Sequence, residues 1–389
     1  MVNNKSLFIL GASGNIGKQT QEIILRNPNL KYDVVGISVG KNIFELMKIL
    51  KRFKTIKYVW SINVITISIK EKYPHIQFLH SDNTIDKFLK NDPLAFKLNA
   101  IQGSAGLIWS YHILSNQQQT LLLANKESLV LAGQLLNTLK IKNQNKIIPV
   151  DSEHNAILSC LEEGNKVHKI ILTASGGPFV DNKISELKDV TLSQVIKHPT
   201  WDMGIPISIN SATMVNKAYE IIEAYHLFGI KNIEVVIHRQ SLIHSAVEFE
   251  DKSMKLLLSN PDMKQVISYA LSYPKRVIDS TLKPIDLGKL EKITFEPIDT
   301  NRFKVITIAN YCVKYAHYNS FSVALNSINE TLQIYYLKEK INFYDYNFLL
   351  IKLFKTIKPL KLCKLQQIID YHKQIEQEVI NYLKQNQYL

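Results

Sequence analysis

Residues 6–17 read Ser-Leu-Phe-Ile-Leu-Gly-Ala-Ser-Gly-Asn-Ile-Gly, an apolar run followed by three glycines spaced three residues apart. The run is typical of a buried strand, and residues 16–26 have helical spacing. Glycines between a strand and a helix let the backbone turn tightly and approach a pyrophosphate at the helix N-terminus. The stretch therefore predicts the first strand, turn and helix of a dinucleotide-binding domain. Its Gly-x-x-Gly-x-x-Gly spacing differs from the usual form, so a plain tight turn is the alternative.

Strand-like and helix-like segments alternate over the first part of the chain. Short apolar runs recur between stretches of helical spacing, at residues 32–39, 58–60, 100–101, 120–123 and 147–150. This alternation predicts an α/β fold with a doubly wound, Rossmann-like parallel sheet. Farther along, prolines and little periodicity mark residues 275–300, and Leu, Ile and Tyr recur at helical spacing after residue 303. We predict a nucleotide-binding domain (1–150), a central α+β catalytic domain (151–274), a linker (275–300) and a C-terminal helical domain (301–389).

The end of the second predicted strand distinguishes between nicotinamide cofactors. An NAD enzyme usually has Asp or Glu here to bind the ribose 2′-hydroxyl, whereas this chain has Gly40-Lys41-Asn42. A cation and an amide suit a 2′-phosphate. A lysine at a helix start is also unfavourable for the helix dipole, which favours a nearby anion. The segment therefore predicts NADP, the alternative being a solvated lysine.

Carboxylates in two separate segments indicate a metal site. Asp151 and Glu153 follow an apolar run, and Glu220 belongs to a segment whose spacing places Asn216, Lys217 and Glu220 on one helical face. Carboxylate oxygens are hard ligands that suit Mg²⁺ or Mn²⁺ rather than Zn²⁺. The alternative is a solvated helix face with a weak ion pair.

Charge and composition bear on the kind of partner. The net charge of +13 raises the hypothesis of nucleic-acid binding, but the lysines are spread along the whole chain. The densest run, residues 352–364, alternates with Leu, Ile and Phe as in an amphipathic helix. Because we find neither a basic arm nor a zinc finger, we expect anionic small ligands and no nucleic acid. A non-catalytic basic binding protein remains an alternative.

The expected compartment is the cytoplasm. The N-terminal apolar run is too short for a signal peptide, and no stretch approaches the ~20 apolar residues of a membrane span. The three cysteines, Cys160, Cys312 and Cys363, are far apart in sequence and form no metal-type or redox pair. This usage fits a reducing compartment, and we expect no membrane contact.

Five motifs follow one another along the chain, at residues 125–129 (Asn-Lys-Glu-Ser-Leu), 151–156 (Asp-Ser-Glu-His-Asn-Ala), 175–179 (Ser-Gly-Gly-Pro-Phe), 198–204 (His-Pro-Thr-Trp-Asp-Met-Gly) and 216–217 (Asn-Lys). In this order they resemble the 1-deoxy-D-xylulose 5-phosphate reductoisomerase family, from about residue 6 to beyond Glu330. The resemblance implies a homodimer that isomerises and reduces this phosphosugar to 2-C-methyl-D-erythritol 4-phosphate in non-mevalonate isoprenoid biosynthesis. The implied cofactors are NADPH and Mg²⁺ or Mn²⁺, with Co²⁺ as a further option.

The resemblance also implies roles for individual residues. NADPH contacts are implied for Ser13, Gly14, Asn15, Ile16, Gly40, Lys41, Asn42, Asn125, Glu127 and Gly204, and metal ligation for Asp151, Glu153 and Glu220. Substrate contacts are implied for Lys126, Ser152, Glu153, Ser175, His198, Ser211, Asn216, Lys217 and Glu220, with catalytic roles for Lys217, Glu153, Glu220 and His198.

Residues 198–206 read as a loop that closes over the site, with Trp201 as an apolar cover. Ser211 stands where a helix N-cap is expected, which would direct a helix dipole at the substrate phosphate. Ile205-Pro206, Ala218 and Arg239 depart from the usual family pattern without removing an implied ligand. The rival enzyme hypothesis is another NADP-dependent dehydrogenase of a small phosphorylated or amino-acid substrate, which would not need three carboxylates.

Overall fold

The computed structural model describes residues 4–197, 201 and 204–389, with residues 184 and 185 described by their backbone alone. The chain forms two compact units. The first comprises the residues up to Ser128, Leu136–Asn155 and Asp262–Lys283, and the second comprises Leu129–Leu135, Ala156–Pro261 and Pro284–Leu389. These units are drawn differently from the predicted domains, and the division into three domains and a linker stays a prediction.

The strands and helices follow one another as the alternating sequence pattern indicates. The strands are β1 (Lys5–Leu10), β2 (Tyr32–Val39), β3 (Tyr58–Ser61), β4 (Gln77–His80), β5 (Phe96–Asn99), β6 (Thr120–Leu123), β7 (Lys146–Pro149), β8 (Val167–Ala174), β9 (Ile233–Ile237), β10 (Ile243–Phe249), β11 (Met254–Leu258) and β12 (Glu296–Pro297). The helices are α1 (Asn15–Arg26), α2 (Ile43–Arg52), α3 (Ile67–Lys72), α4 (Ile85–Lys90), α5 (Gly106–Ser115), α6 (Lys126–Lys142), α7 (Ser152–Cys160), α8 (Leu192–Val195), α9 (Ile205–Ala212), α10 (Val215–Phe228), α11 (Met263–Ser272), α12 (Lys304–Lys314), α13 (Ser320–Leu337), α14 (Phe343–Phe354) and α15 (Leu365–Gln385).

The first unit is built on a seven-stranded parallel sheet in the order β4-β3-β2-β1-β5-β6-β7. Residues 7–10 of β1 are fully buried at its centre. The chain reverses its direction of winding between β1 and β5. In open α/β sheets, ligands bind outside the carboxyl ends of the strands at such a point. The doubly wound parallel sheet predicted from the sequence is thus confirmed.

The second unit contains a mixed sheet in the order β11-β10-β8-β9-β12. β8 pairs in parallel with β9 and antiparallel with β10, so the sheet is of the mixed α+β kind that the sequence predicted. From Lys304 to the end of α15 the elements are the helices α12 to α15, which confirms the helical C-terminal region. In the part of the chain described here, no helix is long and apolar enough to cross a membrane.

The fifth strand lies at Phe96–Asn99 rather than at the predicted residues 100–101. The sequence prediction missed this strand because it contains two polar residues, Lys97 and Asn99. Both are buried and hydrogen-bonded. The amine of Lys97 donates to Gln119 Oε1 at 2.6 Å, and Asn99 Nδ2 donates to the carbonyl of Gly106 at 2.9 Å. Polar groups that are hydrogen-bonded can be buried at little cost in free energy. The strand therefore lacks the continuous apolar run from which strands were predicted.

The predicted amphipathic helix over residues 352–364 is wrong. α14 ends at Phe354, and residues 357–363 are neither helix nor strand. Pro359 has no N–H for a helical hydrogen bond and its ring obstructs the preceding turn. The segment is instead held by the start of α13, where Ser320 Oγ accepts from Leu360 N–H and Asn319 Oδ1 accepts from Leu362 N–H, each at 2.8 Å.

Candidate active site

The turn after β1 requires glycine for two structural reasons. Gly11 has a φ of +80°, and a Cβ there would lie 2.6 Å from the carbonyl oxygen of Ala100. Its N–H donates to Ser38 Oγ at 2.9 Å, which ties the turn to the end of β2. A Cβ on Gly17 would lie 2.5 Å from Gly11 O, so α1 begins directly against the turn. The first turn of α1 has no side-chain cap, which is the arrangement of a phosphate-binding helix N-terminus.

The structure places the implied cofactor residues of the first unit around the carboxyl ends of β1, β2 and β6. Ser13, Gly14, Asn15 and Ile16 form the end of the β1 turn and the start of α1. Lys41 is exposed just before α2, and Asn42 caps that helix by accepting from Glu45 N–H at 2.9 Å. No carboxylate occupies the position directly after β2, where an NAD enzyme would have one.

Asn125 joins two loops at the point where the sheet changes its direction of winding. Its Nδ2 donates to the carbonyls of Ile101 at 2.8 Å and Gly103 at 2.9 Å, and to Glu127 Oε2 at 2.8 Å. Its Oδ1 caps α6 by accepting from Ser128 N–H at 3.0 Å. Asn125 is nearly fully buried and therefore shapes the loop after β5. Direct contact of Asn125 and Glu127 with a cofactor stays a prediction.

Asp151 lies between β7 and α7 with two basic partners. Its carboxylate is 2.8 Å from Lys126 Nζ and 2.9 Å from His154 Nδ1, and it accepts from the N–H of Glu153 at 3.3 Å. Burial alone would raise the pKa of this carboxyl, but the charges and hydrogen bonds of Lys126 and His154 outweigh it and hold the pKa well below its usual range. Asp151 is therefore ionised and available as a ligand. Ser152 donates to Glu153 Oε2 at 2.5 Å in the first turn of α7.

The second unit contains a buried cluster on α10, with the helical spacing that the sequence predicted. Asn216 Nδ2 donates to Glu220 Oε1 at 2.5 Å, and Lys217 Nζ donates to the other carboxylate oxygen. The same amine donates to the carbonyl of Thr173, at 2.5 Å, in β8. Glu220 is completely buried and Lys217 is 4% exposed, so this is not a solvated surface pair. The contribution of Thr173 was not predicted, because a backbone carbonyl leaves no sequence signal.

The loop after β8 packs on the backbone of α9. Gly177 has a φ of +69°, and a Cβ there would lie 2.9 Å from the carbonyl oxygen of Ser211. Its N–H donates weakly to Ser175 Oγ, at 3.4 Å. The Gly-Gly pair thus lets the loop carrying Ser175 approach Ser211 closely. Two hydroxyl-bearing residues, both half-buried, come from segments 36 positions apart.

The prediction that Ser211 caps a helix is wrong. Ser211 lies in the last turn of α9, and α10 begins only at Val215. Between the two helices Met214 adopts a left-handed conformation with a φ of 61°, and its N–H donates to Ser211 O at 3.1 Å. The chain makes a tight helix–helix turn here, which local sequence did not reveal. The proposed site residues in the first turn of α10 are Asn216 and Lys217, so any effect of the helix dipole acts at them.

The predicted gate lies mostly outside the described residues, and so does His198. Trp201 is half-buried, with its ring centroid 6.0 Å from that of His244. Gly204 is exposed and precedes α9. Ile205 and Pro206 form the first turn of α9 rather than the end of a loop, because proline is well suited to a helix start. The contact of His244 with Trp201 was not predicted.

Comparison with known proteins extends over most of the chain. The model of the 1-deoxy-D-xylulose 5-phosphate reductoisomerase family matches residues 7–133, and models of the C-terminal domains of that enzyme match residues 147–228 and 258–378. The reductoisomerase of Phocaeicola vulgatus is 37% identical over 350 residues, covering 87% of this chain and 88% of that protein. That of Bacteroides fragilis is 38% identical over 355 residues, covering 88% of each.

Solved structures give the same result. A DOX-P reductoisomerase in complex with NADPH, fosmidomycin and magnesium has a TM-score of 0.87 and 32% identity, covering 98% of both chains. The Zymomonas mobilis enzyme in complex with NADPH has a TM-score of 0.87 and 31% identity, covering 98% of this chain and 99% of that one.

Proposed function

Because this chain belongs to the 1-deoxy-D-xylulose 5-phosphate reductoisomerase family, we propose that it catalyses the isomerisation and reduction of that phosphosugar. The product is 2-C-methyl-D-erythritol 4-phosphate, and the cofactors are NADPH and a divalent cation. The observation that carries the proposal is the cluster of Asn216, Lys217 and Glu220, in which Lys217 and Glu220 are buried. A simple NADP-dependent dehydrogenase has no need of a buried, ionic carboxylate beside its substrate.

Asp151, Glu153 and Glu220 would hold the cation. All three offer carboxylate oxygen, which fits Mg²⁺ or Mn²⁺, with Co²⁺ as a further option. A metal ligand must be deprotonated, and the lowered pKa of Asp151 meets that condition. The bound cation would polarise the substrate carbonyl and stabilise negative charge that develops on its oxygen.

Lys217 would hold a substrate hydroxyl and balance negative charge in the transition state. Its amine is already oriented by Thr173 O and Glu220, so little reorganisation is needed. Lys126, Ser152 and Glu153 would orient the carbon skeleton of the substrate. The phosphate would be bound by neutral donors that do not compete for the metal, namely Ser175, Ser211, Asn216 and His198. Lys217, Glu153, Glu220 and His198 are the proposed catalytic residues.

NADPH would lie over the turn after β1, with its pyrophosphate at the N-terminus of α1, which has no side-chain cap. The cofactor supplies the hydride for the reduction. Ser13, Gly14, Asn15 and Ile16 would bind its phosphates, and the segment Gly40-Lys41-Asn42 its 2′-phosphate. Asn125, Glu127 and Gly204 are the other proposed contacts.

The direct test is oxidation of NADPH with 1-deoxy-D-xylulose 5-phosphate, with and without Mn²⁺ or Mg²⁺. We expect turnover only when the substrate and a metal are both present, and loss of turnover in excess chelator. Activity that survives chelation would favour the rival, a metal-independent NADP dehydrogenase. A basic binding protein without catalysis would instead leave NADPH unoxidised in every mixture.

The cofactor preference should depend on Lys41. We expect wild-type protein to use NADPH far better than NADH, and Lys41→Asp to reduce that preference about 10- to 100-fold, because a charge-assisted hydrogen bond to the 2′-phosphate is lost. The measurement is kcat/KM for each cofactor. Lys54→Asp, an equally exposed lysine after α2, should leave the ratio unchanged. Equal use of NADPH and NADH by the wild type would refute the assignment.

Trp201 should matter more for turnover than for folding. We expect Trp201→Ala to lower kcat about a hundredfold with little change in melting temperature, since a loop that covers the site adds little to the core. Its fluorescence should change when fosmidomycin and NADPH are added together. The opposite result would be a Trp201→Ala protein that is mostly unfolded, while its remaining folded fraction binds fosmidomycin normally. Trp201 would then be a core residue.

The protein is proposed to act as a cytoplasmic homodimer, without nucleic-acid or membrane partners. β11 is an edge strand of its sheet, and its side chains Met254 and Leu256 are about half exposed. Such an edge can pair with a second copy of the chain. The described cysteines are free thiols, as in a reducing compartment. Light scattering measures the mass in solution, and a monomer at working concentrations would contradict the dimer.

A further inference from the structure

Three amide side chains line one face of α13, at positions 326, 329 and 333. Asn326 is completely buried, Asn329 is 1% exposed and Gln333 is 9% exposed. Buried amides are costly unless their donors and acceptors are satisfied. Their partners therefore identify what this helix holds in place.

The first partner is α9. Asn210 Oδ1 accepts from Asn329 Nδ2 at 3.0 Å and from Gln333 Nε2 at 3.3 Å. Gln333 Nε2 also donates to the carbonyl of Pro206 at 2.9 Å, in the first turn of α9. Tyr346 donates its hydroxyl to Asn329 Oδ1 at 2.7 Å, which directs the NH₂ of Asn329 toward Asn210. α9 is thus held at both ends, and its second anchor, Asn210, immediately precedes Ser211.

The second partner is α10. Asn326 Nδ2 donates to the hydroxyl of Tyr219 at 3.1 Å, and His372 Nε2 lies 3.0 Å from Asn326 Oδ1. Tyr219 is completely buried and immediately precedes Glu220. α13 therefore holds both helices at the residue before a proposed substrate or metal ligand.

Helix geometry turns these neighbours in different directions. Successive side chains on a helix point about 100° apart, so Asn210 facing α13 turns Ser211 away from it. The backbone of Ser211 instead lies against the Gly177 loop, which also carries Ser175, another proposed phosphate donor. A small rotation of α9 would move Ser211 relative to Ser175, and displacements of about 1 Å can cost a hundredfold in rate.

We propose that Asn326, Asn329 and Gln333 are positioning residues: Asn329 and Gln333 set α9 for the substrate phosphate, and Asn326 sets α10 for the metal ligand Glu220. This inference rests on the proposed function. It assigns the C-terminal helices a role in the chemistry, in addition to their contribution to the core.

The test compares Asn329→Leu and Asn326→Leu with Ser327→Ala. Ser327 is equally buried on the same helix, but its hydroxyl bonds to His372 O in α15 at 2.6 Å. We expect Asn329→Leu to raise KM for 1-deoxy-D-xylulose 5-phosphate about tenfold, the effect of losing its hydrogen bond to Asn210. Asn326→Leu should raise the Kd for Mn²⁺, measured by calorimetry, by a similar factor. KM for NADPH should stay constant in all three variants.

A purely structural role predicts a different result. The Leu variants would then melt earlier, while their KM and Mn²⁺ Kd would match those of Ser327→Ala, and the proposal would be overturned. If Asn329→Leu does not fold, Tyr346→Phe keeps the packing and removes only the hydroxyl that orients Asn329. It should raise KM in the same direction by a smaller factor, and an unchanged KM would equally overturn the proposal.

Failure of the proposed function is recognised separately. Fosmidomycin binding in the presence of Mn²⁺ and NADPH reports the site without turnover. A wild-type protein that binds fosmidomycin but does not consume 1-deoxy-D-xylulose 5-phosphate would sink the proposed reaction alone. The positioning role would still be decided by the Kd for fosmidomycin. We expect this Kd to be about tenfold higher for Asn329→Leu than for Ser327→Ala, and equal values would contradict the positioning role.

Discussion

Glu220→Gln should lower kcat by about a thousandfold or more while NADPH binding stays unchanged. Both carboxylate oxygens of Glu220 accept hydrogen bonds, from Asn216 and Lys217. Glutamine offers one acceptor, so its NH₂ would face a donor, and the charge that attracts the cation is lost. Losing a preorganised charge in a buried site typically costs hundreds- to a thousandfold in rate. The measurements are kcat, NADPH affinity and melting temperature on one preparation.

Glu234→Gln is the matched control for this substitution. Glu234 lies on β9 in the same unit, and its side chain is half exposed to solvent. Its carboxylate forms an ion pair with Lys169 at 2.8 Å. The same chemical change there should leave turnover and metal dependence as in the wild type. If Glu220→Gln kept full activity at limiting Mn²⁺, Glu220 would not be a metal ligand.

Lys217→Met should have the second largest effect, a fall in kcat of about 100- to 1000-fold. Methionine fills nearly the same volume, so packing against Thr173 is retained while the charge is removed. Lys217→Arg should not restore activity, because a planar guanidinium needs more room and a different donor geometry than the amine. Steady-state kcat, together with fosmidomycin affinity, separates a loss of chemistry from a loss of binding.

An exposed lysine of the same unit provides the control. Lys231→Met, just before β9, removes an equal charge outside the cluster and should leave kcat unchanged. A folded Lys217→Met protein with near wild-type kcat would exclude Lys217 from catalysis. Another residue would then have to stabilise the negative charge that develops in the transition state.

Much of the first unit was predictable because its signals are local. Residues 6–17 combine a buried run with glycines that suit a strand–turn–helix, and β6 occupies the predicted residues 120–123. β5 was misplaced because Lys97 and Asn99 interrupt its apolar pattern, although their polar atoms are satisfied by residues outside the strand. A helix was wrongly predicted over residues 352–364 because their apolar residues have helical spacing. The prediction gave too little weight to Pro359, which disfavours a helix.

The helical cluster of Asn216, Lys217 and Glu220 was determined by sequence alone, since three- and four-residue spacing places side chains together on any helix. The fold class and the family likewise follow from the order of local motifs. Tertiary structure alone decided that Thr173 O orients Lys217 and that Gly177 lies close to Ser211. It also decided that the chain turns at Met214 between two helices and that α13 holds Asn210 and Tyr219. These contacts join residues far apart in sequence, so they depend on how whole elements pack and on which buried polar groups find partners.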